Sequence, residues 1–290
     1  MKSKSKKKTE YSWLIKAYKN KDFLNSPSAR LIRILSEMIE PAARFRKYGV
    51  KDTVVFFGSA RIFSRSVTSR NFRRIKKRIK RVKSPSLNLK HQYEQAKRDV
   101  AMSRYYEDAR LLAKKLTHYF KGLRKKGKNF MICSGGGPGI MAAGSQGAKM
   151  AGGKSVGLDI SIPMEQYPNL YQTKELAFEF HYFFIRKFWF FYLAKALVVF
   201  PGGFGTMDEL FELLTLTQTG KHRKPLPVIL FGRDYWQKVV NFDEMHKWGT
   251  ISREDLKLIK VFDDVDETFN YLKKQINKYF INKDYDKEPF

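Results

Sequence analysis

The strongest constraint on the fold is a glycine-rich turn between an apolar run and a run with helical periodicity. The turn is residues 201–205 (PGGFG), and the apolar run before it, residues 196–200, predicts a buried strand. Apolar residues recur at helical spacing over residues 210–214, so we expect a helix after the turn. This succession of strand, glycine turn and helix is typical of α/β proteins that bind a ligand at the carboxyl edge of the sheet.

The backbone of this turn is suited to binding an anion. Three glycines allow a ligand to approach the main chain closely: Gly202, Gly203 and Gly205. Thr206 is expected at the N-cap of the helix, where free N–H groups and the positive end of the helix dipole attract negative charge. Asp208 and Glu209 are expected in the first turn, where acids also serve as simple partners of the dipole. A phosphate beside these carboxylates therefore needs cations nearby.

Arg186 and Lys187 are the candidate cations. They lie in a predicted helix that leads into the strand at residues 196–200. About nine residues of helix follow Arg186, roughly 14 Å at about 1.5 Å per residue, and the strand returns the chain by roughly 16 Å. We therefore expect Arg186 to lie level with Pro201, at the carboxyl edge of the sheet.

Two more glycine turns follow predicted strands. A turn at residues 58–59 follows the strand at residues 53–57, and a turn at residues 135–139 (GGGPG) follows the strand at residues 129–133. The second turn is not a dinucleotide fingerprint, because Ile140 stands where that pattern needs a glycine or an alanine. These turns favour a mononucleotide pocket.

The motifs resemble those of a known family. Residues 201–209 (PGGFGTMDE) match the PGGxGTxxE motif of the LOG (Lonely Guy) family. The chain is also similar to this family in the Arg186-Lys187 pair and in the two glycine turns at residues 58–61 and 135–141. The resemblance covers roughly residues 54–230, with one interruption. Members of the family are nucleotide phosphoribohydrolases that activate cytokinins, and many were mislabelled lysine decarboxylases.

The resemblance implies a Rossmann-like, doubly wound parallel sheet in a three-layer α/β/α sandwich, and a homodimer. It implies that Arg186 and Glu209 are catalytic, with Arg186 holding Glu209 ionised. The substrate and its phosphate are then expected on the following residues: Gly58, Ser59, Gly135, Gly136, Gly137, Gly139, Lys187, Gly202, Gly203, Gly205 and Thr206. We expect no metal, because the five histidines lack metal-ligand spacing, and no cofactor, because no lysine stands in a recognisable pyridoxal phosphate context.

The expected reaction is cleavage of the N-glycosidic bond of AMP or of an N6-modified, cytokinin-type ribotide to free base and ribose 5-phosphate. The alternative is a non-catalytic protein of the same superfamily that binds a nucleotide or single-stranded nucleic acid. The Arg186 and Glu209 pair favours the enzyme, whereas the charge of the chain favours the alternative. Cytokinin activation and nucleotide salvage both stay open as the pathway.

Charge is concentrated in an insertion at about residues 62–102, which interrupts the resemblance. Lys and Arg exceed Asp and Glu by 57 − 28 = 29, and residues 61–90 contain twelve Lys or Arg but no Asp or Glu. Phe72, Ile75 and Ile79 recur at helical spacing, which predicts a basic amphipathic helix. Contact with nucleic acid, contact with an anionic surface and a merely solvated insertion are alternatives that the sequence leaves open.

Three further runs predict elements of the fold. The aromatic run at residues 178–184 predicts a fourth strand, and the apolar run at residues 227–231 predicts the last strand. A helix is expected at residues 105–113, after the insertion.

The remaining sequence sets the predicted organisation of the chain. Residues 1–26 are expected to form a basic, disordered tail, and residues 27–290 a single domain. Cys133 is the only cysteine, and we expect it to be a buried strand residue in a reducing compartment. No run of about 18 apolar residues predicts a membrane span, and no apolar signal core follows the lysine-rich start, so a cytoplasmic location is expected.

Overall fold

The computed structural model describes residues 14–124, 127–163, 167–222 and 224–282. The chain divides into two compact units, Met1–Ala43 and Arg44–Phe290. The first unit contains short helical turns at Ala17–Lys19 and Pro27–Ala29 around the helix Lys21–Asn25. The predicted tail, residues 1–26, falls within this unit, and its first 13 residues are outside the described part of the chain. The division into a tail and a single domain stays a prediction.

The second unit is built on a sheet of seven strands. They are β1 (Asp52–Phe57), β2 (Phe130–Ser134), β3 (Ser155–Ile160), β4 (Ala177–Phe180), β5 (Ala194–Val199), β6 (Val228–Phe231) and β7 (Ile259–Phe262). All neighbouring strands pair in parallel, in the order β4-β3-β2-β1-β5-β6-β7. The predicted α/β fold with a doubly wound parallel sheet is confirmed. The strand order reverses between β1 and β5, and a sheet of this kind binds its ligand at that point.

Ten α-helices occur within the described ranges. They are α1 (Lys21–Asn25), α2 (Arg30–Tyr48), α3 (Arg65–Lys80), α4 (Leu87–Arg124), α5 (Ile140–Met150), α6 (Phe183–Tyr192), α7 (Phe204–Gln218), α8 (Arg233–Val239), α9 (Phe242–Lys247) and α10 (Val265–Ile276). None of these helices combines the length and the apolar character that a membrane crossing requires.

Helices cover both faces of the sheet. Successive residues of a strand point alternately to these two faces. Val54 and Phe56 of β1 belong to a buried apolar cluster with residues of α4, α5 and α10. Phe57 faces the other way, and its ring lies 4.8 Å from the ring of Phe190 in α6. All six residues of β1 are buried, so the turn that follows this strand is held by a rigid support.

Several predicted boundaries are wrong at the edges of the sheet. The aromatic run at residues 178–184 is not one strand, since β4 ends at Phe180 and α6 begins at Phe183. The run at residues 227–231 forms β6 but is not the last strand, because β7 follows it. An edge strand needs only one apolar side, and β7 is half-buried with Lys260 exposed, so its sequence pattern is weak.

The basic insertion is helical, as its periodicity predicts. It consists of α3 and the first part of α4, a helix of 38 residues that starts well before the predicted helix at residues 105–113. Ile75, Leu89 and Ala96 are buried together between the two helices, with Phe72, Ile79 and Tyr93 packed against them. We call residues 65–104 the basic hairpin. The insertion can fold because α4 supplies the apolar partner that α3 lacks alone.

Candidate active site

A cavity of about 1060 Å³ lies at the carboxyl edge of the sheet, where the strand order reverses. Its walls include the turn after β1, the turn after β5 and the start of α7. Nine of the predicted site residues line it: Gly58, Ser59, Gly135, Arg186, Gly202, Gly203, Gly205, Thr206 and Glu209. Four others do not, namely Gly136, Gly137, Gly139 and Lys187. Arg186 therefore reaches the carboxyl edge of the sheet, although α6 ends at Tyr192, three residues earlier than the expected length of the helix.

The floor of the cavity holds a buried pair of opposite charges. Arg186 and Glu209 are each 7% exposed, and Arg186 Nη1 lies 3.7 Å from Glu209 Oε1. Arg186 Nε donates a hydrogen bond of 2.8 Å to the carbonyl oxygen of Leu158, at the end of β3. The guanidinium also lies over the ring of Phe190, 5.0 Å from its centroid. Arg186 is thus fixed on several sides while its charge faces the cavity.

Burial, rather than Arg186, dominates the protonation of Glu209. Desolvation raises the pKa of Glu209 to about 7, although Arg186 acts to lower it. Arg186 thus acts in the expected direction, but it does not by itself hold Glu209 ionised, because the desolvation of the carboxylate outweighs one cation at 3.7 Å. A carboxyl group with this pKa accepts or donates a proton near neutral pH, which suits a general acid or base.

The glycine turn before α7 leaves its main chain open to a ligand. A Cβ at Gly203 or at Gly205 would meet no atom within 4 Å, so packing does not require a glycine at either position. Gly202 differs, because a Cβ there would collide with the side chain of Thr206. Its carbonyl oxygen accepts a 2.5 Å hydrogen bond from the Tyr235 hydroxyl. A hydrogen bond therefore holds the turn at Gly202, whereas no side chain covers the main chain at Gly203 and Gly205.

The start of α7 differs from its prediction by three residues. The helix begins at Phe204 with Gly203 as its N-cap, so Thr206 is not the cap and no acid lies in the first turn. Asp208 and Glu209 stand one turn further along, where their carboxylates no longer oppose the first N–H groups. The N–H groups of Phe204, Gly205 and Thr206 have no partner inside the helix. Both carboxylates still line the same cavity, so a phosphate bound there would still need a cation nearby.

Hydrogen bonds join the three glycine turns at the sheet edge. Ser59 N donates to the Pro201 carbonyl at 3.0 Å, and Ile140 N donates to the Ser59 carbonyl at 3.1 Å. Gly139 has a φ of 67°, and a Cβ there would collide with the Ser59 carbonyl. A Cβ at Gly58 would lie 2.8 Å from the side chain of Ile140. Glycine at positions 58 and 139 thus allows the turns of the cavity wall to pack closely against one another.

The turn after β2 supports the charged floor. A Cβ at Gly135 would lie 2.6 Å from Arg186 Nη2, so this position must stay free of a side chain. Gly136 has a φ of 73°, and its Cα lies against the carboxylate of Asp159. The carbonyl oxygen of Gly136 accepts hydrogen bonds from Asn169 and Gln172, each of 2.7 Å.

Lys187 is not among the residues that line the cavity and instead binds two carboxylates, of which Asp208 does line it. Its Nζ lies 2.7 Å from Asp208 Oδ1 and 2.7 Å from Glu212 Oε2. Partial burial acts to lower the pKa of Lys187, but the hydrogen bonds to Asp208 and Glu212 outweigh it and raise the pKa. Lys187 therefore binds two carboxylates of α7, and its predicted role as a phosphate ligand stays a prediction without a contact to the cavity.

Sequence reasoning missed several groups at the site. Asp159 is the penultimate residue of β3 and lies near Arg186, and burial raises the pKa of this carboxyl to about 6 although Gln172 and Arg186 act to lower it. Arg61, Tyr235 and Asn241 line the cavity. A charged residue at the carboxyl end of an apolar strand was the available signal for Asp159. Tyr235 and Asn241 lie in and after α8 and belong to no motif.

Cys133 has no part in this chemistry. It is buried in β2, and burial raises the pKa of its thiol. The expectation of a buried strand residue is confirmed.

The fold and the cavity define a doubly wound α/β protein with a buried arginine–carboxylate pair at the switch point of its sheet. The model of a family described as possible lysine decarboxylase matches residues 141–272. A cytokinin riboside 5′-monophosphate phosphoribohydrolase of Arabidopsis thaliana is 27% identical over 92 residues, covering 31% of this chain and 43% of that protein. A phosphoribohydrolase of the same description from Rhodococcoides fascians is 38% identical over 52 residues, covering 18% of this chain and 26% of that protein. One of Mycobacterium tuberculosis is 33% identical over 79 residues, covering 25% and 38%.

These matches confirm the resemblance to the LOG family that the motifs indicate. The chain spans less than half the length of each of these relatives. Two solved structures are also similar. The molybdenum cofactor binding protein from Rippkaea orientalis has a TM-score of 0.40 at 17% identity, covering 59% of this chain and 88% of that chain. The molybdenum cofactor carrier protein from Chlamydomonas reinhardtii has a TM-score of 0.40 at 19% identity, covering 60% and 88%.

Proposed function

We propose that the protein is a nucleoside 5′-monophosphate phosphoribohydrolase. It would convert AMP or an N6-modified ribotide and water to the free base and ribose 5-phosphate. The observation that carries this proposal is the buried Arg186 and Glu209 pair, which lies in the same cavity as the open backbone before α7. The relatives named as phosphoribohydrolases support it.

The start of α7 is the proposed phosphate site. The free N–H groups of Phe204, Gly205 and Thr206, together with the helix dipole, favour a dianion. Gly203 and Gly205 leave room for phosphate oxygens because no side chain covers the main chain there. Arg61 is exposed at the cavity wall and supplies a further cation.

Glu209 is the proposed catalytic carboxylate. When the N-glycosidic bond breaks, its electron pair leaves with the base, and the sugar carbon becomes positively charged. An ionised Glu209 stabilises that carbon and takes a proton from the water that attacks it, and this proton then passes to the departing base. Arg186 binds the substrate and orients Glu209. The two carboxylates near Arg186, Glu209 and Asp159, keep this buried cation compensated.

The cavity is large enough for a nucleotide with a substituent on its base. Apolar side chains form part of its wall, including Ile160, Ile162 and Val239. Phe183 and Phe204 lie at its mouth and are 51% and 96% exposed. An apolar wall of this kind would accept a purine and an N6 alkyl group.

The lysine decarboxylase description does not fit the site. Pyridoxal phosphate chemistry needs a lysine that reaches the cofactor, and none of the described cavity-lining residues is a lysine. Lys187, the nearest in sequence to Arg186, is held by Asp208 and Glu212 instead. We therefore derive no step through that cofactor.

The test is a product analysis with the wild-type protein. AMP, N6-isopentenyl-AMP and adenosine are incubated separately, and free base and ribose 5-phosphate are quantified. We expect base from both monophosphates in equal amounts with ribose 5-phosphate, and much slower release from adenosine, which lacks the phosphate. Release of inorganic phosphate without base, or no product from either monophosphate, would overturn the proposal in favour of another hydrolase or a binding protein.

We also propose a homodimer in the cytoplasm. Aromatic residues on one side of α6 are exposed, namely Phe183, Phe184, Phe188 and Tyr192. A patch of this kind is typical of an interaction surface, and it adjoins the mouth of the cavity. Light scattering at low micromolar concentration would give twice the chain mass of 34.0 kDa if a dimer forms.

A further inference from the structure

The basic hairpin lies outside the proposed hydrolytic chemistry, yet it carries the densest charge of the chain. Eight Lys or Arg stand between residues 70 and 81, and residues 61–90 contain no carboxylate side chain. Arg70, Arg73, Arg74 and Lys77 are exposed on α3. Among the described residues, none of these four forms an ion pair. In contrast, Lys187 and Arg186 near the cavity are both paired.

Helical geometry separates the two faces of α3. Ile75 and Ile79 point toward α4, where they pack with Leu89 and Ala96. At about 100° per residue, Arg70, Arg73 and Lys77 lie on the opposite side. These cations are spaced three and four residues apart, so they form one row along the helix. The hairpin is therefore a built element with an apolar inside and a basic outside.

This arrangement decides between two anionic partners. A helix that binds a lipid surface inserts its apolar face between the headgroups. In α3 that face is already covered by α4, as the contact between Phe72 and Tyr93 shows, with ring centroids 5.4 Å apart. What remains is a row of cations that projects into solvent, and such a row suits a regular chain of phosphates.

We propose that the basic hairpin binds the phosphodiester backbone of a nucleic-acid duplex without reading its sequence. Proteins that hold single strands stack bases on exposed aromatic side chains. The two aromatic residues of the hairpin before residue 105, Phe72 and Tyr93, pack against each other and against the apolar cluster instead. The outer face thus offers charge but no stacking platform, which favours a duplex over a single strand.

The test measures binding by fluorescence anisotropy. The probes are RNA and DNA duplexes of about 20 base pairs, matching single strands and a second duplex of scrambled sequence. If about five phosphates are neutralised, the affinity should fall by about 10²- to 10³-fold between about 50 and 200 mM salt. The variant R70Q/R73Q/R74Q/K77Q keeps good helix formers and should lower the dependence of log K on log salt by about 3 to 4.

A matched control separates the hairpin from the overall charge of the chain. K238Q/K273Q/K274Q/K278Q removes four cations from exposed positions elsewhere and should change the affinity less than threefold. Circular dichroism melts of both variants verify that they are folded. Equal losses in the two variants, no duplex binding at about 100 mM salt, or tighter binding to vesicles of phosphatidylserine and phosphatidylcholine than to duplex would each overturn the proposal. The result is independent of hydrolysis, because Glu209 lies outside the hairpin.

Discussion

The cavity at the sheet edge and the basic hairpin use the same kinds of side chain in opposite ways. Arg186 is 7% exposed, lies 3.7 Å from Glu209 and is fixed by the Leu158 carbonyl. Arg73 on the hairpin is exposed. At the floor of the cavity, both charged side chains are buried and act on each other over a short distance. On the hairpin, charges are hydrated, and their effect depends on number and on salt.

The two regions should therefore respond to different kinds of substitution. In the cavity, the position of one atom decides the effect, because a buried group has few alternative partners. On the hairpin, only the removal of several cations should be measurable, because each contributes a similar, screened share. Predictions that separate position from charge therefore test the comparison.

Among substitutions that keep the charge, the largest expected effect comes from exchanging arginine for lysine, which changes only the geometry. R186K removes the Nε bond to Leu158 and the fork that faces Glu209, so kcat/KM for AMP should fall by about 10²- to 10³-fold. R73K should leave the duplex affinity within about twofold, since a phosphate row needs only charge. Only a small loss of hydrolysis in R186K would contradict the claim that the position of the guanidinium matters more than its charge. Thermal melts of both variants would verify that they are folded.

The next effect concerns the packing of the glycine turns. G139A puts a Cβ against the Ser59 carbonyl at a φ of 67°, so we expect a loss of about 2–4 kcal/mol in the free energy of unfolding. G122A is the matched control on α4, because a Cβ there meets no atom within 4 Å and alanine favours the helix. It should gain about 0.5–1 kcal/mol. Urea unfolding measures both, and equal changes would show that the turn is looser than its geometry indicates.

A third prediction concerns pH. Burial raises the pKa of Glu209 to about 7, so the carboxylate form grows as the pH rises through that value. If the ionised form is the catalyst, log kcat/KM for AMP should rise by about one for each pH unit below pH 7 and level off above it. A profile that is flat from pH 5 to pH 8 would contradict the role of Glu209. Duplex binding by the hairpin should not show this rise, because Glu209 lies outside the hairpin.

The smallest effect is a shift in the pH at which kcat/KM rises, caused by Lys187 and Asp208 close to Glu209. Lys187 acts to lower the pKa of Glu209 and Asp208 acts to raise it. K187Q should therefore move the acid limb of the pH profile upward, with a few-fold loss of rate at pH 6.5, and D208N should move it downward. Shifts in the same direction for both variants would show a structural rather than an electrostatic effect.

The sequence predicts the floor of the site better than its walls. Arg186 and Glu209 stand in motifs on either side of a predicted strand, and this order is visible in the sequence, although α6 ends three residues earlier than expected. The pKa of Glu209 cannot be predicted in this way, because it depends on how much water the fold excludes. Tyr235 and Asn241 belong to a segment without a motif, and Lys187 is turned aside by Asp208 and Glu212, which no spacing rule foresees.

The same contrast holds for the insertion. Its charge and its helical period are visible in the sequence, as the row from Phe72 to Ile79 shows. The partner of that apolar face is not visible, because residues 87–104 have their own mixed pattern and join the long helix α4 without a break. The structure, and not the sequence, shows that α4 covers the apolar face of α3.

The most direct test of the central claim is the rate of adenine release from AMP by E209Q, relative to the wild-type protein and to D208N. Glutamine keeps the shape of Glu209 but neither ionises nor accepts the proton of water. We predict a loss of at least about 10³-fold for E209Q and less than about tenfold for D208N, with duplex affinity unchanged in both. Adenine release by E209Q at more than a tenth of the wild-type rate would show that the buried Arg186 and Glu209 pair is not the hydrolytic centre.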